Sequence, residues 1–126
     1  MRTFMAMGAG IAVLAGALLS IGTAQAQQTH YSWTGMGTNV MGSSKCPTYK
    51  MTIDITVDGN TVKGLFQQQG RDQRHFEATK DANGLFKTKA VVGGGNSMDV
   101  SGSLKDGNSN VVLDGYCKFG GTLTKK

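Results

Sequence analysis

Residues 51–60 read Met-Thr-Ile-Asp-Ile-Thr-Val-Asp-Gly-Asn. Met51, Ile53, Ile55 and Val57 alternate with Thr52, Asp54 and Thr56, and Asp58-Gly59-Asn60 ends the run. A period of two puts apolar side chains on one face of a strand and polar ones on the other. Asp-Gly signals a tight turn, because the central residues of the favoured hairpin turns need positive φ. The stretch therefore reads as a half-buried strand entering a hairpin.

The same punctuation recurs along the chain. Gly70-Arg71-Asp72, Asn83-Gly84, Gly93-Gly94-Gly95-Asn96 and Asp106-Gly107-Asn108 follow, with turn centres near 59, 71, 83, 94 and 107. Turn signals about 12 residues apart indicate an antiparallel meander. The segments between them agree: Phe76 and Ala78 alternate with Glu77 and Thr79, and Phe86, Thr88 and Ala90 with Leu85, Lys87 and Lys89. Met98, Val100, Gly102 and Leu104 alternate with Ser97, Asp99, Ser101 and Ser103 in the same way. Strands are predicted over 30–37, 49–57, 61–69, 74–81, 85–92, 97–105, 110–114 and 116–124. The expected fold is all-β, a small antiparallel up-and-down meander of seven or eight strands. A closed barrel is favoured over a flattened sandwich, because closure removes exposed strand edges. Gly64, Gly102 and Gly120-Gly121 are read as the bends that closure needs.

Before the meander lies a different kind of sequence. Met1-Arg2-Thr3 is followed by an Ala-, Gly-, Leu- and Met-rich run to Ile21, then Ala24-Gln25-Ala26 and Gln27-Gln28. A positive start, a short apolar run and a small-x-small site form the pattern of a secretory signal peptide. The run is shorter than a spanning helix and diluted by glycine. Residues 1–26 are therefore expected to be cleaved, leaving 27–126 as a single domain with no membrane span. The expected destination is the periplasm or the extracellular space of a bacterial cell.

The full chain has 126 residues with 13 basic and 8 acidic side chains. Losing Arg2 leaves 12 against 8, a mild positive balance with the lysines and arginines scattered. Nucleic-acid binding would interleave basic residues with exposed aromatics on one face. Phe66, Phe76, Phe86 and Phe119 read instead as core, so nucleic acid is not expected as a partner. Cys46 and Cys117 are the two cysteines. An even count in a small exported domain reads as a disulfide.

The meander also fixes which turns share an end. Turns at 59, 83 and 107 lie at one end, and those at 71 and 94 at the other. Cys46 enters at that second end, and the strand after Asn108 delivers Asp114 to Lys118 there. Both cysteines are thus expected at the end that carries Arg71, Arg74 and His75. Lys45, Asn96, Tyr116 and Lys118 belong to the same end. Arginine supplies bidentate contacts to carboxylate or phosphate, and barrel mouths are common ligand sites. Lys45, Arg71, Arg74, His75, Asn96, Tyr116 and Lys118 are therefore the candidate ligand-binding set.

Signals for chemistry are weak. Glu77 is the one glutamate, His30 and His75 stand outside any metal-ligand spacing, and no Gly-x-Ser-x-Gly occurs. Gly37-x4-Gly42-Ser43-Ser44-Lys45 lacks the lysine position of a phosphate loop. Asp58, Asp81 and Asp106 precede turns, where Asp is a common opening residue. No catalytic residue, metal site or cofactor is assigned. The expectation is a non-enzymatic binding module for a small or anionic ligand at the Arg71, Arg74 and His75 end. The competing class is a secreted or envelope interaction factor, such as an inhibitor, that meets a protein partner through its loops or sheet surface.

Overall fold

Alternating side chains and glycine turns build ten strands in the computed structural model, which describes residues 28–40 and 44–126. The expected leader lies outside the described residues. The strands are β1 (Thr29–Met36), β2 (Thr38–Asn39), β3 (Lys50–Asp58), β4 (Thr61–Gln68) and β5 (Arg74–Thr79). They continue as β6 (Leu85–Val91), β7 (Ser97–Lys105), β8 (Asn108–Asp114), β9 (Cys117–Thr122) and β10 (Thr124–Lys125). Gly59, Gly84 and Gly107 at one end, and Gly70 and Gly94 at the other, hold φ between 62° and 84°. These are the turn positions read from the sequence.

All pairing is antiparallel, and the strands fall into two five-stranded sheets. Sheet A has the order β10-β1-β3-β4-β5 and sheet B the order β2-β9-β8-β7-β6. Met51, Ile53, Ile55, Val57, Val62 and Phe66 point inward from sheet A. Val100, Leu104, Val111, Leu113 and Phe119 meet them from sheet B. Among the described residues Ser109 is the buried polar one, and its hydroxyl donates to the Lys105 carbonyl at 2.8 Å.

The closed barrel expected from the sequence does not form, and the two seams between the sheets show why. At the first seam the terminal strands run side by side. Tyr31 faces Lys125 and Ser32 faces Thr124, while Thr38 faces Lys118 and Asn39 faces Cys117. These four pairs share one register, interrupted where Trp33–Gly37 passes Phe119–Leu123. The half-buried Trp33 fills the interruption, with its indole against Gly121. The first strand thus leaves sheet A at Gly37 to give β2, and the last leaves sheet B at Leu123 to give β10.

At the second seam β5 and β6 follow one another but form no ladder. Asp81 N–H donates to the Leu85 carbonyl at 2.9 Å, as in a hairpin. Beyond that bond the strands separate. Lys80 N–H turns to the Asn60 carbonyl, just before β4 of sheet A, and Leu85 registers with Ser103 in sheet B. Phe76 and Phe86 occupy the space between, with stacked rings 6.2 Å apart and 10° from parallel. Each ring also lies over a glycine directly opposite it in the ladder, Phe76 over Gly64 and Phe86 over Gly102. A β-carbon at either glycine would clash with the ring over it, and at Gly102 also with the Asn110 carbonyl. Gly64 and Gly102 therefore receive aromatic side chains rather than bend strands toward closure.

The Asp81 carboxylate organises the crossing. Its Oδ1 accepts from Asn83 N–H at 2.8 Å and from Leu85 N–H at 3.0 Å. Replacing Asp81 with Ala removes both bonds and is expected to lower stability by about 1 kcal/mol, as for a lost cap. Urea denaturation would check this, and an unchanged midpoint would show that the loop holds without the carboxylate.

Candidate functional site

The meander brings the β4–β5 turn, the β6–β7 turn and the β8–β9 turn to one end. Cys46, in the 3-10 turn Cys46–Thr48, is bonded to Cys117 at the start of β9, with Cα atoms 5.6 Å apart. This is the disulfide expected from the sequence, at the end where it was expected. Between the sheets at this end lies a cavity of about 690 Å³.

Its base is apolar. Met51 on β3 and Phe66 on β4 contribute from sheet A, and Met98 on β7 and Phe119 on β9 from sheet B. All four are buried. They are inward positions near this end of their strands, so the same alternation that builds the core also supplies the cavity floor. Cys117 lies beside them, which makes the disulfide part of the cavity wall.

Its mouth is polar. Arg71 and Asp72 sit in the β4–β5 turn, and Arg74 is the first residue of β5. Gly93, Asn96 and Ser97 face them from the β6–β7 turn. Arg74 reaches across: a β-carbon at position 93 would lie 3.4 Å from its Nη2. Asn96 Nδ2 donates to the Gly93 carbonyl at 3.3 Å, and Val92 N–H to the Asn96 carbonyl at 2.8 Å, which fixes the glycine turn. Gly115 and Tyr116 complete the rim, and Tyr116 is 73% exposed.

The structure brings Arg71, Arg74, Asn96 and Tyr116 of the candidate set to one cavity. His75, Lys118 and Lys45 do not line it. His75 and Lys118 are exposed because each is one residue away from an inward position. Arg74 and Phe76 turn inward, so His75 turns out beside Leu65; Cys117 and Phe119 turn inward, so Lys118 turns out. Lys45 is exposed just before the 3-10 turn, where its carbonyl accepts from Thr48. Tyr49, Gln68 and Asp72 also border the cavity. Their signal in the sequence was position alone, at strand ends on the disulfide side.

Arg71 and Arg74 form no ion pair among the described residues, including with Asp72. The ion pairs present lie elsewhere. Lys89 Nζ donates to Asp99 Oδ1 at 2.6 Å on the exposed face of sheet B, and that contact holds the Asp99 carboxyl below its usual range. Asp81, one of the three turn aspartates, uses its carboxylate on its own loop, and no three His, Cys, Asp or Glu side chains converge among the described residues.

Fold and site together define a small disulfide-linked β-sandwich with an inter-sheet cavity, apolar at its base and cationic at its mouth. No protein-family model, curated protein or solved structure matches the chain.

Proposed function

We propose that the chain is an exported, non-enzymatic binding module that takes a small anionic ligand in the cavity at its disulfide end. The observation that carries this reading is the coincidence of two features. A cavity of about 690 Å³ falls within the usual range for small-molecule sites, roughly 300–1,000 Å³. Two arginines without carboxylate partners stand at its mouth. An unpaired guanidinium beside an apolar cavity is an available fork for a carboxylate or phosphate. The disulfide supports an oxidising compartment and hence export.

The alternative, a surface that meets a protein partner, finds less support. Leu65 stands between Asp54 and His75 in the ladder, and Leu85 and Val91 each face a serine. These exposed apolar side chains are flanked by polar neighbours, whereas interaction patches are contiguous.

Native mass spectrometry of the protein recovered from the organism that makes it tests the reading. The expected result is a chain beginning at Gln27 that carries a small added mass, with the mass absent after Arg71→Ala and Arg74→Ala together. Retention of the same mass by the double variant would remove the arginines from the site.

A further inference from the structure

We infer that the ligand is a single-chain amphiphile with one negative charge, its head held at Arg71 and Arg74 and its chain laid between the sheets. The inference rests on the binding reading above and narrows it to a chemical class.

Three observations lead to it. The first is polarity. The cavity passes from a base of Met51, Phe66, Met98 and Phe119 to a rim that bears Arg71 and Arg74. A compact polar anion, such as inorganic phosphate, would satisfy the rim and make no contact with the apolar base. A wholly apolar molecule would cover the base and leave two guanidinium groups unused. Only a molecule that is apolar along its length and anionic at one end matches both. Methionine suits such a base, because its unbranched thioether adapts to a flexible chain.

The second is charge. Arg71 and Arg74 carry two positive charges at the mouth and Asp72 one negative. The balance is a single positive charge, which a monoanion neutralises. A dianion would leave an excess negative charge beside Asp72.

The third is size. At roughly 30 Å³ for each water-sized atom, a cavity of about 690 Å³ holds about 20 non-hydrogen atoms. That is a head group with a medium-length chain. Tyr116, exposed at the rim beside the disulfide, is placed to cover the upper part of such a chain.

The test uses the oxidised chain and calorimetric titration at probe concentrations below those at which amphiphiles aggregate. The probes are dodecanoate, acetate, inorganic phosphate and dodecyltrimethylammonium. Dodecanoate is expected to bind at least about tenfold more tightly than the cation of equal chain length, since a charge-assisted contact at the head is worth about that factor. Across shorter carboxylates affinity is expected to rise about threefold to fourfold per methylene, the transfer value of a buried CH₂. Arg71→Ala and Arg74→Ala are each expected to weaken dodecanoate about tenfold without lowering the unfolding temperature, because both residues stand at the rim.

Other outcomes separate the two levels of the proposal. Acetate or phosphate binding as tightly as dodecanoate, with the same arginine dependence, would overturn the amphiphile and leave the anion site standing. Equal binding of the cationic amphiphile would overturn the assignment of the head to the arginines. Absence of binding by every anion would overturn the amphiphile, and a bare chain in native mass spectrometry would then remove the binding reading as well.

Discussion

Replacing Phe76 with Ala is expected to destabilise the fold by about 3–5 kcal/mol, the range for deleting a buried phenylalanine side chain. The site predicts the upper part of that range. Phe76 is buried, packs on Phe66 at 6.2 Å and on Phe86 at the same distance, and covers Gly64. Its loss opens a cavity at the seam where no hydrogen-bonded ladder joins β5 to β6, and it uncovers a glycine in mid-strand. Phe86→Ala is expected to behave alike, since Phe86 repeats the arrangement over Gly102. The double variant should fall short of additivity by roughly 0.5–1.5 kcal/mol, the worth of an aromatic pair. Chemical denaturation of the two single variants and the double variant measures all three quantities. A loss below about 1 kcal/mol for either single variant would mean that the seam is held by something other than the ring stack.

Removing the disulfide through Cys46→Ser and Cys117→Ser together is expected to cost about 4 kcal/mol. The two cysteines are 71 residues apart, and closing a loop of that size in the unfolded chain has roughly that entropic effect. Domains of this size are usually stable by about 5–15 kcal/mol, so the loss is a large share of the total. The bond also ties the segment before β3 to the start of β9, where the short pairing of β2 with β9 is all that extends sheet B beyond β9. Reduction of the native chain should lower its urea midpoint to that of the double serine variant. Equal midpoints with and without reductant would show that the bond adds nothing to the folded state.

Most of the strand order was legible in the sequence because it depends on local signals. Met51 to Val57 and Met98 to Leu104 alternate cleanly, and each turn carries its glycine where φ is positive. The edges moved where a polar residue is buried or an apolar one is not. The strand expected over 110–114 begins at Asn108, because Ser109 points inward and satisfies its hydroxyl on the Lys105 carbonyl. The strand expected over 74–81 stops at Thr79, because Lys80 bonds to the Asn60 carbonyl and Asp81 starts a loop of its own. Closure was not legible at all. It is decided by how Phe76, Phe86 and Trp33 pack between strands far apart in sequence, and turn spacing carries no information about that.

The site was legible in part for the same reason. Counting turns placed Arg71, Arg74, Asn96 and Tyr116 at the disulfide end, and they share a cavity there. Strand parity, applied residue by residue, would have sent His75 and Lys118 to the outer face. It would also have marked Met51, Phe66, Met98 and Phe119 as inward residues near that end. What parity does not reveal is that a cavity lies between the sheets at this end.

A crystal structure of the protein recovered from the organism that makes it examines the binding site most directly. The expected result is an elongated ligand between the sheets, with its polar end against Arg71 and Arg74 and its remainder on Met51, Phe66 and Met98. A ligand seated on an outer face, or sheets that close on each other and leave no room at the disulfide end, would overturn the binding site described above.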